Sequence, residues 1–184
     1  MFRIRPARDA DHDQVVALLS RLQATPSHHI GFHGETAVEL TEELATLDFP
    51  VHTVVAVDEA DRVRGVLSID VDTEAARAWW YGPFVDVPAE HPAADRIWSR
   101  TADALFKAVL PSLRGVRDSE LYGHVEHRRL AQFAARHGFP AGEYSSLLVV
   151  CGVDLVRMVG AVPESKHPIT ELPTPPTGCY AHPC

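Results

Sequence analysis

Two histidines bracket the junction between a short strand and a helix in residues 120–139, which read ELYGHVEHRRLAQFAARHGF. They are His124 and His127. Imidazole changes its charge near neutral pH, so either side chain could serve as a general base. Asp86 and Glu126 are alternative bases that would act through a water molecule. A structural or merely exposed histidine is the competing interpretation of both positions.

A second group of histidines lies in a polar loop nearer the N-terminus. His28, His29 and His33, together with Glu35, fall between two predicted helices. Three imidazoles could hold a zinc ion, which would make the chain a metal-binding sensor. Structural zinc sites usually show tighter spacing and include cysteine, so we predict a solvated loop without metal.

The cysteines give no further candidate site. Cys179, His182 and Cys184 could form half a metal site, but they fall in a proline-rich terminus, which is a poor scaffold for one. We therefore expect free thiols there. Cys151 falls in an apolar predicted strand, where burial in the core explains it.

The pattern of apolar residues predicts the elements that must position these side chains. Helical spacing places Leu130, Phe133 and Ala134 on one apolar stripe, and Gly138 supplies a left-handed cap that ends this helix. Similar patterns predict strand, two helices, three strands, helix, strand, helix and strand. The predicted strands cover residues 2–5, 51–57, 65–71, 77–85, 121–125 and 144–153. The other predicted helices start at Asp9 or Asp11 (with Gln14 in a capping-box position), at about Thr36 and near residues 92–95, and the last of these reaches Leu113.

This order of elements indicates an α/β or α+β protein with a single sheet. One predicted strand carries three consecutive aromatic residues, Trp79, Trp80 and Tyr81. Because side chains alternate along a strand, at least one of them must lie on the opposite face from the others.

Composition narrows the class of partner. The chain has 184 residues, 46% hydrophobic and 23% charged, and a formal net charge of −8. Nucleic acids and anionic membranes bind basic surfaces, so neither is an expected partner. No apolar run is long enough to span a bilayer, and the N-terminus lacks a hydrophobic signal core. With three cysteines that we expect to be reduced, these features predict a cytoplasmic protein.

Proline marks a change near the C-terminus. Six prolines fall in the last 22 residues, a density that favours extended, solvated chain. We predict one domain over residues 1–153, followed by a proline-rich arm or interdomain linker over residues 154–184.

Two motifs resemble the GNAT superfamily of acyl-CoA N-acyltransferases. The first is the strand and helix that end in Arg-His-Gly-Phe at residues 136–139, which is similar to motif B of that family. The second is the opening RIRPARDADHDQVVALL. The resemblance implies an α/β (α+β) fold, with one mixed, mostly antiparallel sheet flanked by about four helices. It also implies an activity, the transfer of an acetyl group from acetyl-CoA to an amine.

The resemblance further implies where the co-substrate lies. In the family, two neighbouring strands splay apart and acyl-CoA occupies the gap. Its pantetheine arm follows the strand that ends here at Val85, and its pyrophosphate lies on the N-terminus of the next helix, where free N–H groups and the helix dipole favour anions. The implied acetyl-CoA site consists of Phe84, Val85, Asp86, Val87, Arg96 and Arg100.

The sequence departs from the family where the pyrophosphate binds. Members usually have glycines there, which let the backbone approach the phosphates closely. Residues 85–95 read VDVPAEHPAAD and contain no glycine, and Asp86, Glu90 and Asp95 precede the first cation, Arg96. We interpret these acids as helix caps, which would compete with a diphosphate for the same N–H groups.

The residues for proton transfer depart as well. In the family, a tyrosine on the helix of motif B commonly protonates the leaving thiolate, and that position holds Ala134. An asparagine often found near the helix start corresponds to His127. Tyr122, or Tyr144 beyond the helix, would have to replace the missing acid. The predicted catalytic residues are therefore His124, His127 and Tyr122.

Two functions are compatible with these observations. The resemblance implies an N-acetyltransferase that acts on an amine of a small molecule or a protein, and it implies that the loop of His28, His29 and His33 borders the acceptor pocket. The departures favour a catalytically degenerate GNAT-fold module that acts in binding or assembly, like the degenerate N-terminal domain of some tandem members. Its expected partner is a second copy in a homodimer or a second GNAT domain.

Overall fold

Five strands form one sheet in the computed structural model, which describes residues 2–140 and residue 142. The strands are β1 (Arg3–Pro6), β2 (Thr53–Val57), β3 (Val63–Asp72), β4 (Arg77–Val85) and β5 (Asp118–Leu121). They lie side by side in chain order; the first three pairs are antiparallel and the β4–β5 pair is parallel. The prediction of a single mixed, mostly antiparallel sheet is confirmed. The strand predicted over residues 144–153 and the arm over residues 154–184 lie outside the described residues.

The described part of the chain also contains five helices. They are α1 (His12–Gln23), α2 (Ala37–Thr46), α3 (Phe49–His52), α4 (Ala94–Val109) and α5 (Arg128–Arg136). Helix α5 is followed, as predicted, by Gly138 in a left-handed conformation with a φ of 79°. The short helix α3 was not predicted. It replaces the first two residues of the strand predicted over residues 51–57, because Pro50 suits the first turn of a helix better than a central strand.

The consecutive aromatic residues of β4 divide between the two faces of the sheet. Trp80 is buried and stacks on Phe106 of α4, with ring centroids 5.2 Å apart. Trp98, in the same helix, is completely buried. Because side chains alternate along a strand, Trp79 and Tyr81 face the other side of the sheet. Helix α4 therefore covers one face of β4, and the opposite face carries half-buried aromatic rings.

The pairing of β4 with β5 is short. Arg77–Trp80 pair with Asp118–Leu121, although β4 continues to Val85. Beyond β5 the chain leaves β4, and Gly123 forms an antiparallel bridge with Ile30 instead. A gap opens between residues 81–85 and residues 122–127, which we call the β4–β5 gap. The strand predicted over residues 121–125 was wrong in position, because the ladder with β4 ends at the residue where that prediction began.

A nearly buried ion pair joins β1 to the turn before α1. Arg5 Nη1 and Nη2 donate to the two carboxylate oxygens of Asp11 at 2.6 and 2.9 Å. The same carboxylate accepts from the backbone N–H of Arg8 at 2.8 Å, and these bonds lower the pKa of Asp11. The predicted capping box is therefore wrong, since Asp11 binds Arg5 and the Gln14 carbonyl oxygen accepts from Val63 N–H.

Removing the Asp11 carboxylate should destabilise the protein. The side chain of Arg5 is only 10% exposed, so Asp11→Ala leaves a charge without its partner and should cost about 3 kcal/mol of unfolding free energy at pH 7. Urea denaturation measures the loss. The fully exposed Asp13 supplies the matched control, Asp13→Ala, which should change stability by less than about 0.5 kcal/mol. Equal losses in the two variants would contradict the assigned role.

Candidate active site

Helix α4 begins without a side-chain cap. Its N-cap residue is Ala93, whose own side chain accepts no hydrogen bond from the first turn. His91 Nδ1 accepts from Ala93 N–H at 3.1 Å, and the Ala93 carbonyl accepts from Ile97 N–H at 2.9 Å. The interpretation of the nearby acids as helix caps is therefore wrong. An uncapped helix N-terminus presents N–H groups and a partial positive charge to an anion.

Two of the three acids in this region are paired with arginines. The Asp86 carboxylate lies 3.0 Å from Arg21 Nη2 of α1 and 3.1 Å from Arg64 Nη1 of β3. The Asp95 carboxylate lies 2.8 Å from Arg129 Nε of α5. These contacts offset much of the negative charge that the sequence places before α4, because opposite charges at such distances largely cancel at longer range.

A shallow depression of about 450 Å³ lies at the same end of α4. Its lining includes His91, Arg96 and Arg129. Arg96 and Arg100 are exposed, and neither forms an ion pair with any residue of the described chain. Arg100 lies one turn further along α4 and does not line the depression. Arg96 and Arg129 therefore lie together at the uncapped N-terminus of α4, and this arrangement suits a phosphate group.

The predicted co-substrate strand is buried except at its end. Phe84, Val85 and Val87 are at most 9% exposed, and Asp86 is half-buried. Strand β3 pairs with one edge of this stretch, whereas the ladder with β5 stops before it. The backbone of β4 therefore has no strand partner on the side of the β4–β5 gap within the described residues. Peptide-like groups bind such an edge through main-chain hydrogen bonds.

His127 is buried and caps α5. Its Nδ1 accepts from Leu130 N–H at 3.2 Å, and the rings of Trp98 and His28 each lie with their centroids 5.8 Å away. Burial, followed by the charges of His28 and Arg129, lowers the pKa of His127 to about 3. A base with so low a pKa removes a proton from an ammonium group with difficulty. The observed contacts are those of a helix cap.

The other two predicted catalytic residues are exposed beside the β4–β5 gap. The Tyr122 hydroxyl donates to Glu120 Oε2 at 2.7 Å, and this bond raises the pKa of Tyr122. The hydroxyl therefore stays protonated, as a general acid requires. His124 Nδ1 accepts from Glu126 N–H at 3.2 Å, so the neutral ring carries its hydrogen on Nε2.

Sequence reasoning missed the buried Gln23 and placed His33 in a solvated loop, although both side chains are buried near the gap. His33 Nδ1 lies 2.8 Å from Glu43 Oε2 of α2, and its ring stacks on Tyr81 with centroids 4.7 Å apart. Gln23, at the end of α1, is 2% exposed and hydrogen-bonds to the backbone of the following loop. The sequence did hold a signal, since Gln23 falls four residues after Leu19 on the buried stripe of α1.

The histidine loop is packed rather than solvated. The expectation of a solvated loop is wrong for Ile30 and His33, which are both buried. His29 lies against His124, with ring centroids 6.3 Å apart, on the opposite side of the loop from the Tyr81 contact. Across residues 2–140 and 142, no group of three or more His, Cys, Asp or Glu side chains could hold a metal ion. Cys151, Cys179, His182 and Cys184 lie outside the described residues.

Burial of neutral His127 makes stability depend on pH. Its pKa is about 3 when folded and about 6.5 when unfolded, so protons bind the unfolded chain preferentially between these values. Stability therefore falls as the pH falls from 6.5. Asparagine also caps helices but does not titrate, so His127→Asn removes this dependence.

Between pH 6.5 and pH 5, the wild-type protein should lose about 2 kcal/mol more stability than His127→Asn. Urea denaturation at the two pH values measures the difference, in which groups that titrate alike in both proteins cancel. Parallel losses in the two proteins would show that His127 is protonated in the folded state near neutral pH.

Many solved structures are similar to this chain, and three of them serve as examples. A predicted acetyltransferase from Clostridium acetobutylicum with acetyl-CoA is 16% identical and covers 81% of this chain and 96% of its own, with a TM-score of 0.54. The aminoglycoside N-acetyltransferase AAC(6')-Iy, in complex with a CoA bisubstrate analogue, is 15% identical and covers 83% and 99%, with a TM-score of 0.53. An acetyltransferase of Trypanosoma brucei is 18% identical and covers 82% and 100%, with a TM-score of 0.51.

Sequence comparison adds no closer relationship. No protein-family model matches the chain, and no curated protein does. No helix in the described part of the chain is long and apolar enough to cross a membrane.

The order of the strands, the splay of β4 from β5 and the similarity to acetyltransferases along most of the chain agree with one another. This chain has the fold of the GNAT superfamily of acyl-CoA N-acyltransferases.

Proposed function

We propose that this protein is an acyl-CoA-dependent N-acetyltransferase that transfers an acetyl group to an amine. The observation that carries the proposal is the uncapped N-terminus of α4, with Arg96 and Arg129 in the depression beside it, directly after the β4 edge that β5 leaves unpaired. Two of the solved neighbours hold acetyl-CoA or a CoA analogue. Although the protein is acidic overall, the cationic pocket at this helix N-terminus would attract a diphosphate locally.

The residues present fit the pyrophosphate of acetyl-CoA better than its pantetheine arm. Arg96 and the N–H groups of Asp95 and Arg96 would bind the pyrophosphate, since the N–H groups of Ala93 and Ala94 donate to His91. Arg129, whose Nε donates to Asp95, would add its remaining N–H groups, and the arginines replace the glycine-lined cradle of the family. The β4 edge at Phe84 and Val85 would meet the pantetheine arm. The chain's own residues 28–33 lie between that edge and the residues after β5, so this half of the site is filled.

The reaction requires two proton transfers. An acceptor ammonium loses a proton to a base, the free amine attacks the thioester carbonyl carbon, and the thiolate leaves and takes up a proton. Tyr122 would supply that last proton, because its hydroxyl is exposed at the gap and is held protonated by Glu120. His124, or Glu126 through a water molecule, would take the first. His127 stays in its role as the cap of α5.

The acceptor is an amine-bearing small molecule or protein segment. Carboxylates lie near the face of the sheet that carries Tyr81: burial is the main cause that raises the pKa of the Tyr81 hydroxyl, and the charges of Glu43 and Asp70 raise it further. Glu120 adds a third carboxylate beside Tyr122. Carboxylates and aromatic rings on one face favour a cationic acceptor.

Charge reversal at Arg96 should weaken acetyl-CoA binding. Arg96→Glu places an anion in the phosphate depression, so the Kd should rise by about tenfold or more in a calorimetric titration. Arg114→Glu makes the same charge change on an exposed residue at the other end of the helical segment and serves as the control. Its Kd should stay within about threefold of the wild-type value. No saturable binding to any of the three proteins at millimolar acetyl-CoA would overturn the proposed function.

Loss of the Tyr122 hydroxyl should slow turnover without weakening binding. Tyr122→Phe keeps the ring but removes the proton donor, so kcat should fall by about 10²-fold while the acetyl-CoA Kd stays constant. Thiol release with a panel of diamines and basic peptides measures kcat. Tyr81→Phe, which keeps the stacking on His33, is the matched control. An unchanged kcat in Tyr122→Phe would move the general acid elsewhere.

A second candidate function is a GNAT-fold module that binds a partner without catalysis. The filled β4–β5 gap and the loop without glycine between residues 85 and 95 favour it. Its partner would be a second copy of this chain or a second GNAT domain. Tight acetyl-CoA binding with turnover on any amine would exclude this candidate.

A further inference from the structure

Residues 28–33, which we call the histidine segment, pair with the chain that follows β5. Gly31 N–H donates to the Tyr122 carbonyl at 3.2 Å, and His124 N–H donates to the His29 carbonyl at 3.1 Å. These two bonds flank the antiparallel bridge between Ile30 and Gly123. The segment therefore satisfies backbone groups of residues 122–124, which no longer pair with β4.

The same segment contacts the opposite wall of the β4–β5 gap. The His33 ring stacks on Tyr81 at 4.7 Å and lies 5.9 Å from the ring of Phe84. At its other end, His28 lies against His127 and is close enough to Asp86 for the two charges to interact. The histidine segment thus contacts residues on both sides of the β4–β5 gap, and Ile30, in the middle of the segment, is completely buried.

One side chain holds the segment in place. The Gln23 amide nitrogen donates to the carbonyls of Ile30 at 3.0 Å and His33 at 3.1 Å, and its oxygen accepts from Ile30 N–H at 2.7 Å. The Gln23 backbone carbonyl also accepts from His29 Nδ1 at 3.1 Å. Gln23 is 2% exposed, so these bonds form away from competing water and fix the path of the segment.

We propose that the histidine segment is an autoinhibitory element that fills the β4–β5 gap and must move before acyl-CoA can bind there. The inference rests on the proposed function, since it assigns regulation to the same site. The segment bonds to the backbone after β5, and its His33 ring packs on the side chains of Tyr81 and Phe84, next to the β4 edge that the pantetheine arm would meet. Acyl-CoA and the segment compete for one space.

The local conformation favours release of the segment. Phe32 has a φ of 59°, a left-handed conformation that is strained for a bulky aromatic residue, and its side chain is 73% exposed. Two backbone bonds longer than 3.0 Å join the segment to residues 122–124. Displacement therefore relieves strain at Phe32 while it exposes Ile30. These two effects oppose each other in the free energy of displacement.

Two variants open the segment by different means. Gln23→Leu removes the three side-chain bonds to Ile30 and His33, and Gly31→Val places a branched side chain where even a Cβ would lie 3.1 Å from the Tyr122 Cβ. Gln14→Leu is the matched control, because Gln14 lies on the same helix and also bonds to a backbone N–H, that of Val63, far from the gap.

The experiment combines hydrogen exchange with calorimetric titration of acetyl-CoA into the four proteins. Exchange at the amides of Gly31 and His124 reports the bonds that close the segment, and protected amides in β2 and β3 report the folded state. Both opening variants should exchange faster at these two amides and bind acetyl-CoA at least about tenfold more tightly than the wild type. Gln14→Leu should match the wild type in both measurements.

The two proposals fail in different ways. Faster exchange in the opening variants with an unchanged Kd would overturn the autoinhibitory role and leave the acetyltransferase proposal standing. Faster exchange without acetyl-CoA binding in any protein would overturn both, because an open gap should then have bound it. Acceleration of the same two amides when acetyl-CoA is added to the wild type would support displacement directly.

Discussion

The early end of the β4–β5 ladder is the constraint on which the rest of the site depends. Parallel pairing covers four residues of each strand, yet β4 runs on to Val85 and the chain after Leu121 turns away. Backbone N–H and C=O groups left near a core must find other partners. Those of residues 122–124 find them in the histidine segment, whereas the edge of β4 finds none among the described strands. The short ladder therefore leaves the edge of β4 without a strand partner and leaves residues 122–124 to pair with the histidine segment.

Electrostatics explain how an acidic chain could keep the diphosphate site that we propose. Asp86 and Asp95 come close to the N-terminus of α4 in sequence, where they would repel phosphate or occupy its donors. Their pairing with Arg21, Arg64 and Arg129 removes both effects. A phosphate site built on arginine side chains rather than on glycine-lined backbone depends more strongly on ionic strength, because exposed charges are screened.

Local patterns predicted most of the fold. The stripe of Leu130 and Phe133, the left-handed Gly138 and the boundaries of α2 follow from interactions within one turn of the chain, so periodicity and capping rules found them. The end of β5 was misplaced, because it depends on where β4 stops pairing rather than on the residues of β5 alone. Sequence patterns carry no information about a ladder between distant segments until the register is known.

The partners of polar side chains were the main failure for the candidate site. Arg21 and Asp86 are 65 positions apart, and no rule of spacing connects them. The acids before α4 were therefore interpreted as caps. In the structure, Asp86 pairs with arginines of α1 and β3, and Asp95 pairs with an arginine of α5. His127 was similarly taken for a base, although its imidazole nitrogen is used by α5 and its burial keeps it neutral. The sequence predicted which chemistry a side chain could perform, but it did not predict whether the polar atoms of that side chain are already bonded to other residues.

The proposed equilibrium between a closed and an open histidine segment also separates the two candidate functions. Both use the same fold, the same uncapped helix and the same histidine segment. If the closed state is favoured only modestly, binding energy from the phosphates can displace the segment, and the protein is an acyltransferase with a lowered apparent affinity. If it is favoured by several kcal/mol more, acyl-CoA cannot open the gap at cellular concentrations, and the same chain behaves as a degenerate module. Under the proposed regulation, the buried bonds of Gln23 to Ile30 and His33 would favour the closed state, so Gln23 would lower the activity without being a catalytic residue.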